Sequence, residues 1–310
     1  MKKFALSLIV FSVLFLGYEK VFILVANISA NNEVDKRLEY LIKGEVSKDI
    51  IIIGSSTGSR DIIAGQIEDS TGYSVYNLCY PGSNDEFHEF ILRTLIKFNK
   101  PPKLLLLVVD DSKELLYDET TNFRNDRLYP LVKYRHIRQE LVARGDKDEF
   151  LSRFLVLHQL NKSNLDLRKK RFTPLDTILE CGSMPISWQR KGREWKYGSI
   201  EEIYQVEDEL PAKVAAFKKI ISTCQEMNIE ILVVFPPQYK VLNMSFVSRI
   251  KELGGSKTNY YIYNQNDPVY KDKSSYYDET HLIRKAAVRF TNEITLYLDT
   301  LNLNKPMLLN

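Results

Sequence analysis

Five short apolar runs, each closed off by turn-forming residues, stand out along the chain: Ile50–Ile53, Tyr73–Leu78, Leu104–Val109, Ile229–Phe235 and Tyr260–Tyr263. They are apolar nearly throughout rather than alternating with polar residues, the pattern of strands covered on both faces. Between and after them lie stretches with apolar residues three and four apart, which predict helices over Asp85–Phe98, Ala212–Met227, Phe246–Leu253 and Arg284–Leu301. Strand and helix in alternation predict an α/β fold: a three-layer, doubly wound, flavodoxin-like parallel sheet with helices on both faces. Ligands bind beyond the carboxyl ends of the strands in such sheets. "GSSTG" (Gly54–Gly58) and "VVDDS" (Val108–Ser112) fall at those ends.

The alternation is interrupted twice. At the amino end, Lys2 and Lys3 precede an apolar run from Phe4 to Leu16 and a second from Val21 to Ala26. A bilayer span needs about 20 apolar residues, a length reached here only if Glu19 and Lys20 lie inside it. Residues 1–30 therefore read as a signal anchor, or as a signal peptide with Ile28-Ser29-Ala30 as the candidate cleavage site. By the positive-inside rule the leading lysines stay in the cytoplasm and the remainder is exported. Residues 31–310 then form the α/β domain, beginning with a polar linker and a short helix. The second interruption spans 115–205, a helical insertion after the third strand that holds Trp188 and Trp195 and the basic runs "LRKKRF" and "WQRKGREWKYG". Its 17 Lys and Arg against 13 Asp and Glu make a mild basic bias, which fits a solvated helical face. The insertion is also placed to cover the strand ends as a lid.

Composition narrows the function classes. A net charge of +3 gives no global signal for nucleic acid. Cys79, Cys181 and Cys224 lie far apart without C-x-x-C spacing, which excludes a disulfide framework and a zinc knuckle. The four histidines (His88, His136, His158 and His281) speak against a His-rich metal site. Neither nucleotide-binding glycine pattern, G-x-x-x-x-G-K-[ST] or G-x-G-x-x-G, is present.

Gly54-Ser55-Ser56-Thr57-Gly58 fits the G-x-S-x-G pattern of a nucleophile elbow. A strand that stops abruptly into a helix lifts the serine oxygen to the sheet edge, beside free amides at the helix start. A Ser-Gly turn with an N-cap reads the same way in isolation. Near the other end, "SSYYDETHLIRKAAVRFTNEI" places Asp278 three residues before His281, directly ahead of an amphipathic helix. A serine nucleophile needs a base to take its proton, and the base needs an acid to fix its tautomer. Arg60 and Asp61 are expected to support the turn through local ion pairs, and His88 to sit on a helix surface or line the cleft.

On these residues the chain resembles the SGNH/GDSL hydrolase superfamily, in which the nucleophile follows the first strand and a D-x-x-H pair lies near the carboxyl end. The resemblance spans 49–300 apart from the insertion. It implies Ser56 as nucleophile, His281 as base and Asp278 as its orienting acid. Gly82, in "YNLCYPGSNDEF", stands where the family's second block supplies an oxyanion amide, with Asn84 close by. The implied oxyanion hole is the amides of Ser56 and Gly82 with Asn84. Two blocks depart from the pattern. Ser55 replaces the first block's Asp, and "LVVDDSKEL" offers Asp110, Asp111 and Ser112 where the third block carries an oxyanion Asn. A carboxylate there repels a developing oxyanion unless it is protonated or turned away, and the loss of one oxyanion donor costs roughly 10²–10³ in rate.

The N-terminal anchor and "VVFPPQY" after the fourth strand resemble membrane-anchored, DltD-like and acetyltransferase-like relatives. The resemblance thus implies a serine esterase or O-acyltransferase acting on acyl esters of a cell-envelope polysaccharide or related glycan. It would be held at the cytoplasmic membrane facing the periplasm or exterior, with a membrane acyl-donor protein as a candidate partner and no metal or organic cofactor required. The rival expectation is a catalytically degenerate domain of the same fold that binds glycan or a partner enzyme.

Overall fold

The computed structural model describes residues 2–166, 168, 170–190, 194–201 and 203–301. Parts of both basic runs of the insertion lie outside these residues. In chain order the helices are α1 (Lys2–Asn32), α2 (Arg37–Lys43), α3 (Ser56–Asp61), α4 (Ala64–Thr71), α5 (Asp85–Phe98), α6 (Asn125–Leu128), α7 (Arg135–Ala143), α8 (Glu149–Phe154), α9 (Pro211–Glu226), α10 (Met244–Gly254) and α11 (Arg284–Leu298). The strands are β1 (Ile50–Ile53), β2 (Val75–Asn77), β3 (Leu104–Val108), β4 (Glu230–Phe235) and β5 (Asn259–Ile262).

The chain divides into two units, one made of Met1–Glu39 and Arg124–Phe172 and the other of Tyr40–Phe123 and Thr173–Asn310. Residues 31–39 go with α1 rather than with the sheet, and both ends of the 115–205 interval belong to the sheet unit.

The sheet unit carries a five-stranded sheet in the order β2-β1-β3-β4-β5. Every pairing is parallel, with Ile50 opposite both Val75 and Leu104, Leu104 opposite Glu230, and Leu232 opposite Asn259. This is the order of doubly wound sheets, with the switch point between β1 and β3. Side chains alternate across the sheet. Ile50, Ile52, Leu104, Leu106, Leu232 and Val234 face one cluster with Ile67, Ala287, Phe290 and Ile294 of α4 and α11; α5 packs against α9 as the other layer. With helices on both faces, β1 and β3 have no polar position to spare, which is why they read as unbroken apolar runs.

In the other unit, α1 is a single 31-residue helix. Its best 18-residue window has a mean hydropathy of 2.2, so it is long and apolar enough to cross a bilayer. At about 1.5 Å per residue it spans roughly 46 Å. Its buried residues, Ala26, Ser29 and Ala30, are confined to the carboxyl-terminal end. There the Asn164 amide donates to Ser29 Oγ (2.9 Å) and to the Tyr129 carbonyl (2.7 Å), while Glu19 accepts the Val156 N–H (3.0 Å). The helix therefore runs through Glu19 and Lys20 without a break.

Candidate active site

The sharp end of β1 is set by close packing. A Cβ on Gly54 would meet Val108 Cβ at 2.8 Å and the Val108 carbonyl at 2.9 Å, so β1 and β3 approach here as only glycine allows. The chain then turns through Ser55 into α3, whose first residue is Ser56. The Ser56 N–H therefore has no intrahelical acceptor.

The opposing loop is built just ahead of α11. Tyr276 and Leu282 form an antiparallel bridge, the Tyr277 N–H donates to the His281 carbonyl (2.8 Å) and the Ile283 N–H to the Ser275 carbonyl (2.9 Å). Inside this loop one Asp278 oxygen accepts the N–H groups of Thr280 (3.0 Å) and His281 (2.9 Å) and the Thr280 hydroxyl (3.0 Å). Three contacts fix where the loop sits. Asp61, the last residue of α3, accepts the Leu282 N–H (3.0 Å), the Arg284 N–H donates to Ile186, and the Tyr239 N–H donates to Glu279.

The structure brings together Ser56, His281 and Asp278. His281 Nε2 lies 2.8 Å from Ser56 Oγ, and Nδ1 lies 2.8 and 2.9 Å from the two Asp278 oxygens. Burial pushes the Asp278 carboxyl up, but the hydrogen bond and charge of His281 and the N–H groups of Thr280 and His281 overcome this. They hold it well below the ordinary carboxylate range. An ionised Asp278 keeps the proton on Nδ1 and leaves the Nε2 lone pair facing the serine hydroxyl.

Ser56 opens into a cavity of about 310 Å³ whose lining includes Gly82, Asp110, Lys113, Gln238, Thr280 and His281. It lies beyond the carboxyl ends of β1 and β3, at the switch point. Gly82 sits at φ 72°, a left-handed turn that glycine adopts without strain. No acceptor engages its N–H among the described residues.

Asn84 is not part of this arrangement. It caps α5, its Oδ1 accepting the Phe87 N–H (3.2 Å) and its Nδ2 lying 3.5 Å from Glu86. The reason is the helix start: four free amides there compete for the side chain and an Asn at the cap satisfies one of them. Gly82 lines the cavity and Asn84 does not.

The acidic pair after β3 has a specific arrangement. Both oxygens of the half-buried Asp110 carboxylate accept hydroxyls, one from Ser55 and the other from Thr57. Burial pushes this carboxyl up while the two hydroxyl donors work in the opposite direction. Ser55 and Thr57, on either side of Ser56, thus bind Asp110 and direct its oxygens to themselves. Asp111 is paired with Lys240 at 3.1 Å.

Other expectations change. Asp61 is fully buried and bonded to Leu282 rather than paired with Arg60. Burial, with the charges of Asp110 and Asp278 adding to it against the Leu282 N–H, raises its carboxyl well above the usual range. The Arg60 guanidinium lines the cavity, 3.5 Å from His281 Nδ1. His88 is buried at 1% exposure, so it is not a helix-surface residue. Of the 115–205 interval, Asp118, Thr120 and Thr121 line the cavity; they belong to the sheet unit. Gln238, from the loop after β4, reaches the cavity and donates to the Asp110 carbonyl (3.1 Å). The sequence singled out its Pro-Pro neighbour but not Gln238 itself. In comparisons with known proteins, the chain matches no protein-family model and no curated protein sequence.

Proposed function

We propose that this chain is a serine esterase or O-acyltransferase of SGNH/GDSL type, acting on acyl esters of a cell-envelope glycan through an acyl-enzyme. The observation that carries the reading is the continuous chain of contacts from Ser56 Oγ through the His281 ring to Asp278, at 2.8, 2.8 and 2.9 Å. These are proton-transfer distances. Ser56 Oγ attacks the ester carbonyl as His281 Nε2 takes its proton, and Asp278 steadies the imidazolium. The N–H groups of Ser56 and Gly82 hold the oxyanion. His281 returns the proton to the departing alcohol, then deprotonates the acceptor, which is water in an esterase and a glycan hydroxyl in a transferase, and passes that proton to Ser56 Oγ as the acyl group leaves it. The hydroxyls that bind Asp110 are the support for an oxyanion site tolerating an acid in place of the third-block Asn. In this reading α1 anchors the chain in the cytoplasmic membrane, so full-length protein stays with the membrane pellet after alkaline carbonate extraction.

The test is full-length protein in detergent, incubated with p-nitrophenyl acetate and with a fluorophosphonate probe. Ester cleavage and labelling that both vanish in Ser56→Ala and His281→Ala are expected. Transfer of labelled acetate to an added glycan, against release to water, then separates transferase from esterase. Folded wild-type protein that neither cleaves nor labels would instead favour the second reading, a glycan- or partner-binding domain, which rests on Asp110 and Asp111 standing in place of the oxyanion Asn.

A further inference from the structure

At the wall of the Ser56 cavity, which Glu114 also lines, three chemistry-bearing side chains that the chemistry above does not use converge. Asp85 and His88 stand three apart on α5 and so share one face of it. Glu114 comes from the 3₁₀ turn Ser112–Glu114 after β3. All three are buried, at 0, 1 and 4% exposure. Their ligand atoms lie within 4.8 Å of one another. His88 Nδ1 is 3.6 Å from Asp85 Oδ1 and 3.4 Å from Glu114 Oε1.

These groups lack ordinary hydrogen-bond partners. Among the described residues nothing within hydrogen-bonding geometry reaches either Asp85 oxygen, Glu114 Oε1 or His88 Nδ1. Lys213 supplies positive charge nearby, but its three protons are taken by the Lys113 and Leu116 carbonyls (3.1 and 2.7 Å) and the Thr121 hydroxyl (3.4 Å). Leaving such groups buried without partners is costly.

The hydrogen bond on the far side of the imidazole fixes its tautomer. Ser83 Oγ lies 2.7 Å from the Tyr80 carbonyl and 3.3 Å from that of Gly54, neither of which can donate. Its single proton therefore goes to a carbonyl, and the oxygen accepts His88 Nε2–H at 2.8 Å. Nδ1 faces the two carboxylates, and in the neutral imidazole it is the nitrogen free to ligate. Buried groups of this kind are neutralised either by a proton or by a cation held between them. A hydrogen bond is normally about 2.7–3.2 Å long, shorter than either Nδ1 separation. Bonds of about 2.0–2.2 Å to a zinc-sized ion place tetrahedral ligands about 3.4 Å apart, which matches.

We infer that Asp85, His88 and Glu114 form a binding site for a first-row divalent cation such as zinc, the spacing fitting such an ion and one imidazole with two carboxylates suiting that series. Ser83 is the outer partner that holds the imidazole in its ligating form. The ion ties the start of α5, just past Gly82, to the turn just past Asp110 and Asp111. It therefore braces the two loops that flank Ser56 without entering the reaction.

The experiment uses full-length protein without a histidine tag, in detergent, stripped with a chelator and reloaded with Co²⁺ as a spectroscopic stand-in for zinc. The expected result is one equivalent bound, with visible d–d absorption of low-coordinate cobalt. Glu114→Gln should weaken uptake at least about tenfold and His88→Gln should abolish the spectrum. Chelation should lower the Tm of the wild type, a readout independent of any variant's folding. Uptake below a tenth of an equivalent by the folded wild type would overturn the inference and leave a shared proton to neutralise the pair. One equivalent with a spectrum unchanged in His88→Gln would overturn it equally, since the metal would then sit elsewhere.

Discussion

Replacing Asp278 with Asn isolates what the acid does for His281. Asp278 Oδ1 accepts three donors from its own loop, the N–H groups of Thr280 and His281 and the Thr280 hydroxyl. In Asp278→Asn the amide oxygen must keep that place, so the amide NH₂ takes the position of Oδ2, 2.9 Å from His281 Nδ1. Nδ1 then faces the amide oxygen at 2.8 Å and the NH₂ at 2.9 Å in place of a carboxylate, so the tautomer in which Nδ1 accepts from the NH₂ and the ring proton sits on Nε2 gains on the productive one. In that tautomer the nitrogen 2.8 Å from Ser56 Oγ carries a proton and cannot take another. A wrong tautomer in a Ser-His-Asp triad lowers kcat by about 10⁴, equivalent to ~5.5 kcal/mol in the barrier. KM should hardly move, because Asp278 does not line the cavity. The assay is steady-state p-nitrophenyl acetate hydrolysis with the rate of fluorophosphonate labelling alongside. Stability gives a second readout. The folded Asp278 carboxyl titrates below its unfolded value, so it stabilises the protein above about pH 4 and that contribution is lost as pH falls through the folded pKa. The variant lacks the contribution at every pH, so the gap between the two proteins should narrow in acid. A kcat within tenfold of wild type would refute the tautomer argument.

Three further outcomes follow from the same region. Thr57→Val keeps the shape of a 1%-exposed side chain but removes one of the two hydroxyls on Asp110. The loss should be about 1.5–3 kcal/mol by urea unfolding, the value of a hydrogen bond to a charged group. Asp61→Asn should be more stable than wild type at pH 7. The buried carboxyl titrates above its unfolded value, so the wild type loses stability as pH rises from about 4 toward the folded pKa, and the difference should vanish in acid. Gly54→Ala forces a Cβ within 2.8–2.9 Å of Val108, including its carbonyl, and should cost about 1–3 kcal/mol in a denaturant melt.

Much of the scaffold was legible because it rests on local pattern. Ile50–Ile53 is a strand over the whole apolar run, and Asp85–Phe98 is a helix to the residue, since each has strong periodicity and clear punctuation at its ends. The second strand shrank from 73–78 to Val75–Asn77, because the ladder to β1 ends with the Ile52–Asn77 pair. The short helices α3 and α4 have little apolar periodicity of their own; they are held by packing against α11. Ser56, Asp278 and His281 were each marked by a local motif. Asn84 turns to cap α5, because a residue beside a cavity glycine and a helix cap look alike in sequence until the direction of the side chain is known.

What the sequence by itself determined is therefore the order of buried runs and amphipathic stretches, the apolar N-terminal helix, and the two motifs at opposite ends of the chain. Tertiary structure decided everything that depends on partners far apart in sequence. It turned Ser55 and Thr57 into the donors that bind Asp110, tied Asp61 to the loop of His281, and gathered Asp85, His88 and Glu114 in one buried site. The physical reason is that periodicity records only whether a side chain faces water or protein. Which buried group meets which is set by strand order and loop closure, and only that meeting gives a carboxylate its partner, its charge and its role.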